Sequence, residues 1–255
     1  MSTIRIPAAG TLSATTSIPS QAGEADAFDL QHRSPIGPVS LGSFHSCNSS
    51  VNPTFTGIWG FSSVVDASST SSSDSDGLFF RQTTSTVADN ATYMLGRWPA
   101  PKGTSLLKAT YKLKLPAAAD ITSVLVFFGE ADDFADSLLQ DTHTQDAIGF
   151  QFSTARGDTN WMFLTNDGGS QTITDTGVAV AAGDALTFDF NQYKDEYADW
   201  WVRRDGVVIA SGRVSTNIPN GGGSGNGVWV CTTRDTTAKS IYWYPAYVAG
   251  YADVA

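Results

Sequence analysis

The sequence predicts an all-β chain: a two-sheet antiparallel jelly-roll sandwich over residues 51–255, preceded by an extended N-terminal arm over residues 1–50. Three observations carry this. From Leu106 onward, apolar residues recur at every second position in one short segment after another. No stretch of a helix's length holds a helical period, the best being the short Asp132–Gln140. Clusters of Gly, Asn and Asp separate the segments at the spacing of strand turns, which is the pattern of a sandwich and not of alternating β and α units.

Taken in order, the arm carries Pro7, Pro19, Pro35 and Pro38 among repeated Ser, Thr and Ala, with no sustained period of either kind. A stretch of this composition cannot bury enough apolar surface to order itself, so it is expected to be a disordered tail or to lie against something else. The aromatic run Phe55–Val65 is followed by the low-complexity stretch 66–77, rich in Ser and Asp, which is expected to be an exposed loop.

The clearest strand has Leu107, Ala109, Tyr111, Leu113 and Leu115 alternating with Lys108, Thr110, Lys112 and Lys114 before Pro116 ends it. Ser123–Phe128 is unbroken in apolar character, as expected of a central strand covered on both faces. Ile148, Phe150 and Phe152 alternate again, and Trp161, Phe163 and Thr165 lead to the hairpin turn Asn166-Asp-Gly-Gly169. Leu186, Phe188 and Phe190 form the next inward set. Trp200–Arg204, the turn Asp205-Gly206 and Val207–Ala210 make a second hairpin. A glycine-rich loop at 220–227 leads into Val228–Thr233, and Ser240–Val248 supplies the closing strand.

Composition bounds the function classes. With 41% hydrophobic and 11% aromatic residues the chain can bury a large core, and 16% charged residues suits strands. A net charge of −10 repels phosphate backbones, so nucleic acid is not an expected partner. No apolar run approaches the roughly 18 residues of a spanning helix, so no membrane is expected. The opening MSTIRIPAAG lacks the order of a secretory signal, so the chain is expected to fold in the cytoplasm where it is made. The only cysteines, Cys47 and Cys231, lie far apart with no zinc spacing, and read as reduced thiols unless the protein works outside a cell.

The order of motifs from Leu106 to Val248 resembles the concanavalin A-like lectin and glucanase superfamily, in the plainer form of laminin G-like domains and of virion proteins of tailed bacteriophages. The matching text is Leu107–Pro116, Val124–Gly129 and Asp146–Phe152, then Asn160-Trp161, Asp175–Val178, Trp201–Gly206 and Thr216–Pro219. The resemblance implies two packed antiparallel sheets; it implies no single activity, because this scaffold serves lectins, hydrolases, adhesion modules and capsid parts.

Glycosidases of the superfamily place acids at alternate positions of one strand, E-x-D-x-E, where two facing carboxylates serve as nucleophile and acid. The nearest text here is Glu130-Ala-Asp132-Asp-Phe134, in which Phe134 replaces one catalytic glutamate. Asp132, Asp133, Asp136 and Asp141 are numerous enough to raise calcium, but their spacing fits neither an EF-hand nor the legume-lectin pattern. Of the histidines His32, His45 and His143, two lie in the arm, and no nucleophile elbow accompanies any Ser. The expectation is no catalytic site, no cofactor and no metal.

Two features are candidate interface residues. Lys108, Lys112 and Lys114 would form a cationic stripe on the wet face of their strand, either merely solvated or meeting an acidic neighbour. Trp200 and Trp201 must face opposite ways, one into the core and one outward, and Trp200 is taken as the candidate contact. The resemblance then implies a non-enzymatic structural protein of a phage virion, most specifically a capsid decoration (cement) protein. Such a protein would bind the major capsid protein and stabilise the head surface, with a homotrimer favoured. The alternative is a carbohydrate-binding or tail-associated receptor-binding protein with a glycan as ligand.

Overall fold

A computed structural model describes residues 40–43, 68–97, 104–132, 139–219, 226–244 and 247–252. Among them lie fifteen strands and one short 3-10 turn, Ala118–Ile121. The strands are β1 (Ser40–Ser43), β2 (Ser68–Asp74), β3 (Gly77–Thr83), β4 (Ala91–Arg97), β5 (Thr104–Lys114), β6 (Val124–Ala131), β7 (Asp146–Ser153) and β8 (Asn160–Asp167). They continue as β9 (Gln171–Ala179), β10 (Leu186–Tyr193), β11 (Tyr197–Arg204), β12 (Val207–Val214), β13 (Asn226–Thr233), β14 (Ser240–Trp243) and β15 (Tyr247–Ala252). No helix among the described residues is long and apolar enough to cross a membrane.

All pairings are antiparallel and sort the strands into two sheets. The longer has nine strands in the order β12-β11-β10-β5-β14-β3-β2, with β15 also on β5 and β1 on β15; the shorter has six in the order β4-β13-β6-β7-β8-β9. They pack face to face through the inward residues of each. Tyr111, Leu113, Phe188, Phe190 and Trp200 of the longer sheet meet Val126, Phe128, Phe150, Phe163 and Trp229 of the shorter in one core. Burying faces of this size supplies most of the driving force, at about 25 cal/mol per Å² of apolar surface.

The alternations read from the sequence set the register. On β5, Ala109, Tyr111 and Leu113 are buried while Lys108, Thr110 and Lys112 are half-buried on the other side. All eight residues of β6 are buried, because a second apolar layer lies on the outer side of the shorter sheet. That layer joins Leu125, Phe127, Leu164, Val228 and Val230 with Tyr93, and Leu139 packs against it. The hairpin at Asp205-Gly206 has both residues at positive φ, 50° and 78°, the twist that a two-residue connection between strands requires.

Two expectations need correction. Part of the low-complexity stretch 66–77 is a strand: Ser68–Asp74 pairs residue by residue with β3. Ser and Thr give no hydrophobic period, yet at a sheet edge the backbone ladder alone suffices. Asp74 Oδ1 closes the turn by accepting from the Asp76 N–H at 2.9 Å. Ser40–Ser43, counted within the arm, is also a strand, paired with β15. Residues 1–39, Cys47, the run Phe55–Val65 and most of Asp132–Gln140 lie outside the described residues. Cys231 is fully buried, and burial pushes its thiol up, so it stays protonated at neutral pH.

Candidate functional site

The outer face of the longer sheet is built by the residues that alternate with the core set. On β11, Ala198, Trp200 and Val202 join the core, so Asp199, Trp201 and Arg203 face out. On β10 the outward set is Thr187, Asp189 and Asn191; on β5 it is Lys108, Thr110 and Lys112. The register lines these up across the strands. Trp201 lies opposite Asp189, which lies opposite Thr110, while Asn191 stands between Asp199 and Lys108.

Hydrogen bonds fix this row. Thr110 Oγ1 donates to Asp189 Oδ1 at 2.7 Å, and Arg203 Nη1 stands 3.2 Å from Asp189 Oδ2. Asp189 is only 7% exposed, so its carboxylate is oriented by neighbours and not by solvent. Arg213 on β12 makes a two-pronged contact to Asp199, with Nε and Nη2 at 2.6 and 2.9 Å, and its guanidinium covers the Tyr197 ring at 4.0 Å. Beside these paired charges sits the half-buried indole of Trp201.

The structure reverses the choice between the two tryptophans. Trp200, taken as the candidate contact, is 4% exposed and packs against Phe150 and Phe163 in the core. Trp201 is the outward one. The sequence held the deciding signal two residues away on either side: Asp199 and Arg203 share a face with Trp201, whereas Ala198 and Val202 share one with Trp200.

The lysine stripe is corrected too. Lys114 is buried, its Nζ bonded to Asp74 at the end of β2 and standing 2.6 Å from Asp76 Oδ2 in the turn that follows. The Tyr244 hydroxyl donates to Asp74 Oδ2 at 2.9 Å and helps close the clasp. Burial alone would pull the Lys114 ammonium down, but the bonds to Asp74 and Asp76 outweigh it and hold the group above the ordinary lysine range. Lys112 donates to the Asp76 carbonyl at 2.7 Å and lies over the Tyr244 ring at 4.6 Å; burial lowers its pKa. The charges of these two lysines are therefore spent on fastening the β2–β3 hairpin to β5. Lys108, half-buried, keeps its place in the outward row beside Asn191.

Glu130, the first acid of the glucanase-like text, points between the sheets. It is 4% exposed and accepts the Tyr111 hydroxyl at 2.5 Å. Burial, reinforced by the Glu130 charge, pushes the Tyr111 phenol well up, so it remains the donor. Phe134, Asp133 and Asp136 lie outside the described residues. Among the described residues no three His, Cys, Asp or Glu side chains gather as metal ligands would.

No protein-family model matches the chain, and no curated protein matches it. Solved structures do. A protein of unknown function from Shewanella oneidensis MR-1 superposes with a TM-score of 0.66 over 92% of this chain and 96% of that one, at 15% identity. Peanut lectin superposes at 0.53 over 84% of this chain and 99% of its own, at 9% identity. The fold is the concanavalin A-like jelly roll. An endo-β-1,4-glucuronan lyase from the fungus Trichoderma reesei shares it at a TM-score of 0.54, covering 75% of this chain and 90% of that chain at 7% identity. A concanavalin A-like sandwich at such identities establishes architecture, and function has to be argued from the face just described.

Proposed function

We propose that this chain is a non-enzymatic binding protein that holds a glycan against the outer face of the longer sheet, with Trp201 as the stacking platform. The observation that carries the reading is the outward-facing, half-buried Trp201 beside an oriented, nearly buried Asp189–Arg203 pair. A sugar ring offers an apolar C–H face for an indole and hydroxyls for fixed donors and acceptors, and this row presents both. Asn191 and Lys108 extend the polar row across two strand spacings, roughly 10 Å, enough for about two sugar rings. The lectin fold of one structural neighbour supports the reading. Trp201→Ala is expected to weaken binding to the best ligand of a glycan array at least tenfold, with the melting temperature unchanged. An array without hits, or equal binding by the variant, overturns it.

A second reading places the protein on a phage head as a trimeric cement protein bound to the major capsid protein. The anchoring of Ser40–Ser43 on β15 favours it, because it ties the low-complexity, proline-bearing sequence before Ser40 covalently to the longer sheet. A chain lacking residues 1–39 is expected to keep its β circular-dichroism spectrum and lose co-sedimentation with heads. Full co-sedimentation of the truncated chain would remove this reading.

A further inference from the structure

On the outer face of the shorter sheet, opposite Trp201, a short segment is held down by a buried polar cluster that neither reading above uses. Residues 139–145 cross this face, and the ring of His143, 3% exposed, meets Phe127 of β6 edge-on at 4.7 Å. The holds on the segment come from several elements. Asn166 of β8 donates to the His143 carbonyl at 2.7 Å, and the His143 N–H donates to Gln171 of β9 at 2.7 Å. Gln171 Nε2 donates to the Asp141 carbonyl, and Arg234 beyond β13 donates to the Leu139 carbonyl, both at 2.9 Å.

At the centre lies Gln151 of β7, fully buried. Its Nε2 donates to the Gln140 carbonyl and stands 3.1 Å from His143 Nε2, while its Oε1 accepts from Arg156 Nη1 at 2.5 Å. With its oxygen committed to Arg156, the amide can meet the imidazole only through its N–H. Nε2 of His143 must therefore be an acceptor, and the ring must be neutral. The charged groups around it are Arg156 and Asp158, paired with each other in the turn after β7, Asp141 on the segment itself, and Arg234 at its start.

We propose that residues 139–145 are an acid-released latch over the apolar outer face of the shorter sheet, with His143 as its pin. A proton on Nε2 turns the Gln151 contact into two opposed N–H groups and adds a cation to a buried site that already holds Arg156. Release uncovers Phe127, on which the His143 ring sits, and the part of the outer apolar layer that Leu139 packs against, a surface on the side away from Trp201.

The direction of the linkage follows from the ring's environment. Burial, then the Arg156 charge, lowers the His143 pKa from 6.5 to about 4, against the pull of Asp141. The closed form is therefore at full strength above about pH 6.5 and is lost as pH falls toward about 4, the opening equilibrium rising by up to about tenfold per unit.

Hydrogen exchange read by mass spectrometry, corrected for intrinsic rates, tests this on the full chain at about pH 7 and about pH 4.5. Protection of residues 139–145 is expected to fall on the order of 50-fold at the lower pH while β6 to β8 stay protected. His143→Phe, which keeps the packing on Phe127, is expected to abolish the pH dependence, and His143→Gln serves if that variant does not fold. Protection independent of pH overturns the latch, as does loss shared equally with β6 to β8. The same fall in both variants overturns His143 as the pin.

Discussion

Phe128→Ala is expected to lower the unfolding free energy by about 3–5 kcal/mol, the cost of a large-to-small change at a fully buried aromatic. The site gives little scope for collapse. Phe128 stands at the centre of an aromatic cluster, with ring centroids 4.9 Å from Phe188, 5.6 Å from Tyr111, 5.7 Å from Phe150 and Trp161, and 5.9 Å from Trp243. These rings come from both sheets and several meet Phe128 edge to face, so its removal leaves a cavity and also loses the specific aromatic pairings. The melting temperature should drop by roughly 10 °C for a domain of this size. Val207→Ala, at a position 65% exposed, is the control and should stay within about 0.5 kcal/mol of the parent. Equal effects of the two substitutions, in urea titrations with matched slopes, would mean that the shared core does not hold the sheets together.

The second large effect belongs to a residue with no side chain. Gly129 of β6 and Gly149 of β7 face each other across the ladder. A Cβ on Gly149 would stand 2.2 Å from the Phe128 carbonyl oxygen and 2.7 Å from the Gly129 Cα; one on Gly129 would stand 2.1 Å from the Ile148 oxygen. These are backbone atoms of two central strands, so no rotamer change relieves the clash and the strands must part. Gly149→Ala should cost about 3 kcal/mol, at the upper end of overpacking, even though alanine loses less entropy on folding. Gly169→Ala, where the nearest atom is an Asp167 carboxylate oxygen at 3.6 Å, should be tolerated. A harmless Gly149→Ala in denaturant unfolding would show that the two strands do not approach as closely as described.

What could be read from the sequence was what one face of one strand imposes. Leu107–Leu115 revealed its register because a half-wet strand must alternate, and Val124–Phe128 its double burial because a covered strand need not. The Ser-rich β2 was missed because its place is held by backbone pairing with β3 and by the clasp on Lys114, neither of which leaves a hydrophobic trace. Lys114 was placed on a solvated face because its acidic partners, Asp74 and Asp76, are supplied by a distant hairpin. Trp201 was a different kind of miss. Its orientation was written in Asp199 and Arg203, and reading the pair of tryptophans without those neighbours led to Trp200 instead. The network around His143 draws on the segment 139–145 and on the end of β7, β8 and β9, a convergence only the fold produces.

The pairing of β1 with β15 also has a consequence in time. Ser40 lies opposite Gly250, a separation of 210 residues, and the central strand β5 has Lys108 opposite Ala249 on one side and Asn191 on the other. The middle of the longer sheet is thus assembled from pieces drawn from both ends of the chain. Contacts of such sequence separation are slow to form, because the entropy of closing the intervening loop is lost before any pairing energy is gained. During synthesis, β5 emerges long before the strand that will cover its free edge. The longer sheet, with its Trp201 face, therefore closes only after translation has passed residue 252, and until then β5 presents an open edge to any neighbouring chain.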